Sequence, residues 1–195
     1  VKIIEIIGFI KLEEVPLMNK SELVIIGGGP AGLSAGIYAS RAAIKTVLLE
    51  RGVPGGLVVN SQHIENYPGF EGGISGPELM AQMEKQARRF GLEILPTNVV
   101  GIKSVGHNIV LETDRGELSS GALIVATGAQ PNLLGVKGET ELTGRGVSYC
   151  ATCDGAFFRG KRVAVVGGGD AAVEEAIFLT KFAEKVYIIH RRGEL

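Results

Sequence analysis

The chain has 195 residues, of which 45% are apolar and 21% are charged, and 29 of them are glycine. This apolar fraction excludes a disordered chain, and the glycines stand in short groups between apolar runs, without the three-residue period of collagen. With 20 Lys and Arg against 21 Asp and Glu, the net charge of −1 argues against a general nucleic-acid or membrane-surface binder. A soluble α/β protein is the first interpretation.

The first third of the chain predicts a β-α-β unit. A β-branched apolar run at 23–26 predicts a strand, the glycines after it lead into a helix to about Ala43, and 47–49 predict a second strand. Residues 51–76 contain paired glycines and two prolines, and they predict a long ordered loop whose length points to a function.

The remainder predicts a helix, short strands and a second β-α-β unit. Pro77 suits the first position of a helix that Gly91 closes, with apolar residues at helical spacing between them. Segments 98–112 and 117–126 predict strands joined by glycine-containing turns. A new strand, glycine turn, helix and strand begin at Val163.

This last unit repeats the first at a constant offset of 140 residues. Residues 24–29 match 164–169, and residues 47–50 match 187–190, without a gap. Two units of one kind imply two related ligands.

The first glycine turn has the spacing of a dinucleotide-binding motif. Gly27, Gly29 and Gly32 fit G-x-G-x-x-G between a strand and a helix, and Glu50 ends the next strand, 21 residues after Gly29. Such a turn brings backbone N–H groups and a helix N-terminus to a pyrophosphate, and the carboxylate accepts hydrogen bonds from ribose hydroxyls. The alternative is a chance glycine turn with a solvated glutamate.

The second unit has basic residues where the first has Glu50. The three positions of its glycine motif are Gly167, Gly169 and Ala172. Its second strand is followed by His190, Arg191 and Arg192. Because an acid selects a free 2′-hydroxyl and a cluster of cations selects a 2′-phosphate, the second nucleotide is expected to be NADPH. A solvated basic trio is the alternative, and it predicts no preference between NADPH and NADH.

Cys150 and Cys153 are the two cysteines of the chain, and they have the spacing of a redox dithiol. A secreted disulfide framework is excluded by this count. The alternatives to a redox dithiol are a zinc site, which would need further ligands near the pair, and an idle pair of buried cysteines. Asp154, the next residue, is a candidate proton donor or acceptor, although an aspartate before a glycine is often a turn residue.

No apolar run of the sequence approaches the ~18 residues of a membrane span, and the apolar start of the chain is interrupted by charges. A cytoplasmic protein is therefore expected. Residues 1–17 precede Met18 and are expected to be an extension outside the core.

Seven motifs in order resemble the low-molecular-weight thioredoxin reductases of bacteria and archaea. They occupy residues 27–32, 55–56, 64–69, 126–128, 150–155, 167–172 and 190–192. The dithiol between two dinucleotide motifs is the most diagnostic of them, because it orders the electron path.

The resemblance implies a flavoprotein that passes electrons from NADPH through FAD and the Cys150–Cys153 disulfide to the disulfide of a thioredoxin. Cys153 would face the flavin, Cys150 would be the interchange thiol, and Asp154 would be the acid. Residues 18–128 would form the FAD-binding domain and 129–195 the NADPH-binding domain with the dithiol, and the family also implies a homodimer.

The cofactor-binding residues expected from the motifs and the resemblance together divide between the two nucleotides. For FAD they are Gly27, Gly29, Pro30, Ala31, Gly32, Glu50, Gly55, Gly56, Asn66, Ala126, Thr127 and Gly128. For NADPH they are Gly167, Gly169, Asp170, Ala172, His190, Arg191 and Arg192. A hinge between the domains is expected near Gly144 and Gly146.

The sequence departs from the family at one flavin contact and in its extent, and other functions are weighed beside the family's. Leu57 stands where many members have glutamine, and the chain ends at Leu195, so the rest of the NADPH domain and a returning FAD-domain segment are expected to be missing. One alternative is a related flavin disulfide reductase that serves a peroxidase or is fed by ferredoxin. Another is a nucleotide-binding remnant or interaction module without activity.

Overall fold

The computed structural model describes residues 20–193. The extension predicted at 1–17 lies outside the described residues. The chain divides into two compact units, one with the residues up to Ile64 and Ile74–Gln130, the other with Glu65–Gly73 and the residues from Pro131 onward.

The first unit is a six-stranded sheet with helices. Its elements in chain order are β1 (Lys20–Ile26), α1 (Pro30–Arg41), β2 (Thr46–Glu50), a 3₁₀ turn (Gly56–Asn60), α2 (Gly76–Arg89), β3 (Glu93–Pro96), β4 (Val99–Val105), β5 (Asn108–Thr113) and β6 (Gly116–Val125). The strand order is β3-β2-β1-β6-β5-β4, in which β1 pairs in parallel with β2 and β6, and β4 to β6 form an antiparallel meander. The carboxyl ends of β1 and β2 therefore lie side by side.

Continuously apolar strands and a helix with apolar residues on one face explain how this sheet is buried. Central strands β1 and β2 are buried along most of their length, as expected for parallel strands with both faces covered. The predicted helix from Pro77 is confirmed, with Ser75 as its N-cap and its buried apolar positions at Leu79, Met80, Met83 and Ala87. The packing of β1 and β2 in the core therefore fixes the position of the glycine turn that follows β1.

The second unit contains the repeat. Its elements are α3 (Ala151–Asp154), a 3₁₀ turn (Gly155–Phe158), β7 (Arg162–Val166), α4 (Asp170–Leu179) and β8 (Lys185–Ile189), with β7 and β8 parallel. Gly155 is buried, and a Cβ there would lie 3.2 Å from Phe178 and 3.4 Å from Leu179. This close approach lets the short helix α3 pack on α4.

The predicted repeat is confirmed by matching hydrogen bonds. The N–H of Gly27 donates to the carbonyl of Leu49 at 2.8 Å, and the N–H of Gly167 donates to that of Ile189 at 3.0 Å. Helices α1 and α4 begin at residues 30 and 170, at the predicted offset. The α/β fold class with two related units is thus confirmed.

Three features differ from the sequence-based expectation. The loop at 51–76 contains a 3₁₀ turn and an isolated bridge between Ile64 and Ile74, and β3 was not predicted at all. Gly144 and Gly146 lie inside the second unit, where Gly144 N–H donates to the Val147 carbonyl at 2.9 Å. They belong to a hydrogen-bonded turn within that unit and do not lie where the two units join in the sequence. Their role as a hinge stays a prediction.

Candidate dinucleotide and dithiol sites

The first glycine turn is closed so tightly that two of its positions require glycine. Gly27 has φ +104°, and a Cβ on it would overlap the carbonyl oxygen of Ala126 at the end of β6. A Cβ on Gly32, in the first turn of α1, would overlap the carbonyl oxygen of Gly27. The absence of these side chains leaves the N-terminus of α1 open to an approaching phosphate.

Glu50 lies at the end of β2 and is fixed against this turn. Its Oε2 accepts the N–H of Gly28 at 2.7 Å, and its Oε1 accepts the N–H of Gly52 at 2.9 Å. Each carboxylate oxygen has two acceptor sites, so both retain capacity for a hydroxyl donor. A ribose next to the glycine turn therefore fits this carboxylate.

Further residues predicted for the flavin site gather at the same point. The N–H of Gly55 donates to the Gly28 carbonyl at 2.8 Å, and a Cβ on Gly56 would lie 3.3 Å from Gly29. The N–H of Ala126 donates to the Ile26 carbonyl at 2.8 Å, which places the segment of Ala126, Thr127 and Gly128 beside β1. Pro30 and Ala31 form the first turn of α1.

Two positions in the flavin loop are set apart from this group. Leu57, in the place of the family's glutamine, is 53% exposed. Asn66 is exposed and belongs to segment Glu65–Gly73, which groups with the second unit. The structure of the first unit alone therefore does not place Asn66 beside the glycine turn, and its contact with FAD stays a prediction.

The second glycine turn has a histidine where the first has a glutamate. Gly167 has φ +154°, and a Cβ on it would lie 2.9 Å from the Cβ of Ala172. The His190 ring packs so closely on Gly168 that a Cβ there would overlap it. His190 thus contacts the middle glycine of its turn as Glu50 contacts Gly28.

The other predicted residues of the second site are accessible. Gly169 is the N-cap of α4 and Asp170 its first residue. Arg191 and Arg192 follow β8, and both are exposed. A 2′-phosphate could reach these two guanidinium groups without displacing a core side chain.

The two cysteines form a disulfide, with their Cα atoms 5.3 Å apart. Cys150 is the N-cap of α3, and its Sγ accepts the N–H of Cys153 at 3.2 Å. The Oγ1 of Thr152 lies 3.4 Å from the same sulfur. Cys150 is half-buried and Cys153 is exposed, so the disulfide is accessible to a second thiol.

Asp154 ends α3 with its carboxylate already engaged. The hydroxyl of Ser148 donates to Oδ2 of Asp154 at 2.5 Å. The N–H of Asp154 donates to the carbonyl of Cys150 at 3.1 Å. Nothing in the sequence motif identified Ser148 as a partner of this carboxylate.

Glu139 is a second residue that sequence reasoning missed. It is 5% exposed, and its carboxylate accepts the N–H groups of Leu134 at 2.9 Å and Gly135 at 2.8 Å and the hydroxyl of Tyr149 at 3.1 Å. The hydrogen bond from Leu134, assisted by those from Gly135 and Tyr149, holds the pKa of Glu139 below its usual value, although burial opposes this. Glu139 therefore ties the segment before the dithiol to Tyr149, the neighbour of Cys150.

Within residues 20–193, no helix has the length and hydropathy needed to span a membrane. In the same part of the chain, no three His, Cys, Asp or Glu side chains are grouped in a way that could hold a metal ion.

Two β-α-β units with dinucleotide-type glycine turns and a disulfide of CxxC spacing indicate the class of nucleotide-binding redox proteins. A sequence model of the pyridine nucleotide-disulphide oxidoreductase family matches residues 21–195, and the chain belongs to this family.

Several of the similar proteins are thioredoxin reductases. The chain is 52% identical over 177 residues to that of Peptoclostridium litorale, which covers 91% of this chain and 56% of the relative. It is 50% identical over 174 residues to that of Bacillus subtilis strain 168, covering 89% and 55%. The crystal structure of thioredoxin reductase from Streptococcus pyogenes matches with a TM-score of 0.85 at 47% identity, over 90% of this chain and 57% of that chain.

These matches confirm the resemblance to thioredoxin reductases. They also show that the chain spans little more than half the length of the curated relatives it matches.

Proposed function

We propose that this chain carries the FAD-binding turn, the redox dithiol and an NADPH-binding turn of an NADPH-dependent thioredoxin reductase. The observation that carries the proposal is the pair of equivalent glycine turns with opposite charge, Glu50 in one and His190 with Arg191 and Arg192 in the other, together with a CxxC disulfide. Residues 18–128 would bind FAD and residues 129–195 would bind NADPH and carry the dithiol.

The first turn suits FAD because its chemistry matches the adenosine end of that cofactor. The open N-terminus of α1 would receive the pyrophosphate, and Glu50 would accept the ribose hydroxyls while held by Gly28 and Gly52. Gly55, Gly56 and the segment 126–128 would border the rest of the cofactor. When bound, FAD would supply two-electron transfer between a nicotinamide and the disulfide.

The second turn suits NADPH because its two arginines are exposed. Arg191 and Arg192 are exposed at the end of β8, where a bidentate guanidinium contact discriminates a 2′-phosphate from a hydroxyl. His190 and Gly169 would hold the adenosine and pyrophosphate as Glu50 and Gly29 do in the first turn.

The dithiol would pass the electrons to the disulfide of a thioredoxin. Cys150 would be the interchange thiol, Cys153 would face the flavin, and Asp154 would exchange protons with the sulfur atoms during the reaction. The family further suggests a homodimer and a cytoplasmic location.

The test follows the flavin by its colour. Purified chain is mixed with FAD, unbound flavin is removed, and the spectrum is recorded before and after anaerobic NADPH and again after oxidised thioredoxin. We expect a yellow protein that NADPH bleaches and thioredoxin reoxidises. Cys150→Ser should keep the bleaching and lose reoxidation by thioredoxin. A colourless protein, or a yellow one that reduced ferredoxin bleaches and NADPH does not, contradicts the proposal.

A further inference from the structure

The Ser148 hydroxyl links the backbone of the redox turn to the side chain of Asp154. Its Oγ accepts the N–H of Cys150 at 3.1 Å and lies 2.5 Å from Oδ2 of Asp154. The same oxygen lies 3.3 Å from the Cys150 carbonyl. Because a hydroxyl has one hydrogen, the shorter contact takes it, and Ser148 donates to the carboxylate.

Hydrogen bonding and packing hold the backbone around this contact. Helix α3 is fixed by the bond from Asp154 N–H to the Cys150 carbonyl at 3.1 Å. Ala151 and Gly155 are buried, the latter against Phe178 of α4. Because the backbone of Asp154 is held in this way, its carboxylate can move only by rotation of the side chain. The hydrogen bond from Ser148 restricts that rotation.

The geometry points to Ser148 as the positioning residue of the dithiol reaction, whose hydroxyl holds the Asp154 carboxylate oriented so that it can take a proton from the dithiol. This inference rests on the proposed function, in which Asp154 exchanges protons with the sulfur atoms. An oriented carboxylate avoids the loss of rate that comes with rotation of a free side chain.

A reaction without flavin isolates this step. The chain reduced by dithiothreitol and desalted is mixed with 4,4′-dithiodipyridine. The Cys150 thiol loses its proton to Asp154, its sulfur bonds to one sulfur of the reagent, and the first pyridinethiolate leaves. Cys153 then attacks Cys150, the Cys150–Cys153 bond forms, and the second pyridinethiolate leaves. The chain loses two electrons, the reagent gains two, and the two thiol protons end on the two pyridinethiol products.

The experiment measures the rate of pyridinethione release against pH. Ser148→Ala should be about three- to tenfold slower at pH 6, the effect of one lost hydrogen bond. At about pH 9 the difference should fall below twofold, because a free thiol then ionises without a base. Ser148→Thr keeps the hydroxyl and should stay within twofold of the unchanged chain, as should Thr180→Ala, whose hydroxyl bonds within the same unit to the Ile177 carbonyl.

A coupled substitution separates positioning from simple loss of structure. When Asp154 is already replaced by asparagine, adding Ser148→Ala should slow pyridinethione release by less than a further twofold. Ser148 acts on the reaction through the Asp154 carboxylate, which this background lacks. Ser148→Gly removes the same hydroxyl and leaves no side chain in contact with Asp154, so it should slow release at pH 6 even if Ser148→Ala fails to fold.

Equal slowing by Ser148→Ala at pH 6 and pH 9, or a full effect in the Asp154→Asn background, overturns the inference. So does a Ser148→Gly variant with an unchanged profile. All rates are taken without flavin, so these results leave FAD and NADPH binding standing. A chain that fails to bind FAD but shows the predicted profile would instead overturn the proposed function alone.

Discussion

Replacing Gly32 by alanine tests the tight turn at the start of α1. The added Cβ would overlap the Gly27 carbonyl oxygen and lie 3.1 Å from the carbonyl carbon and 3.4 Å from Ile25 Cγ2. In an ordinary helix, alanine is favoured over glycine by about 1 kcal/mol. Here the neighbour is backbone, which cannot rotate away, so the cost is expected at the upper end of overpacking, about 3 kcal/mol.

The net loss in the free energy of unfolding is therefore about 2 kcal/mol. Because the turn must open to admit the methyl group, FAD should also bind at least about tenfold more weakly, which corresponds to 1.4 kcal/mol. Urea unfolding followed by circular dichroism measures the first quantity, and quenching of flavin fluorescence measures the second.

A matched control is Gly72→Ala, since a Cβ on Gly72 would meet no atom within 4 Å. This variant should change neither the unfolding free energy nor FAD affinity beyond error. The reasoning is refuted if Gly32→Ala unfolds within about 0.5 kcal/mol of the unchanged chain, the range of a neutral surface change, and binds FAD within twofold.

Other predictions concern charged groups. Folding lowers the pKa of Glu139, so its ionised carboxylate stabilises the fold at neutral pH and this contribution is lost as the pH falls through the folded-state pKa. Glu139→Gln should therefore lower the melting temperature at neutral pH, and the difference should shrink in acid; a pH-independent difference contradicts this. Glu50→Gln should weaken FAD binding about threefold to tenfold in a fluorescence titration, while exposed Glu117→Gln should not. Arg191→Ala with Arg192→Ala should weaken NADPH more than NADH by calorimetry, and equal weakening would favour a merely solvated pair.

The β-α-β units were predictable because their signals are local. β-branched runs, a glycine turn and a carboxylate at a fixed spacing all lie within 30 residues, and the structure confirms that Glu50 meets Gly28. The offset between the two units was predictable for the same reason. Strand β3 was missed because its four residues gain their structure from pairing with β2, which sequence patterns do not encode.

The missed polar contacts have a different cause. Glu139 bonds to backbone N–H groups in an irregular segment, and Ser148 bonds to the carboxylate of a residue six positions later. Neither pattern has a period or a fixed spacing, since both depend on how a loop folds on itself. Asn66 is the opposite case. It lies in a clear sequence motif, but its segment groups with the second unit, which the motif does not indicate.

A crossed binding experiment tests the central claim, that the two turns bind two different nucleotides. Gly32→Ala and Gly167→Ala each put a methyl group into one turn, the second at 2.9 Å from Ala172 Cβ and at φ +154°. The affinities of both variants for FAD and NADPH are measured by calorimetry. Gly32→Ala should lose FAD and keep NADPH, and Gly167→Ala should lose NADPH and keep FAD. Loss of both nucleotides with either variant, or unchanged affinity for both, would contradict the assignment.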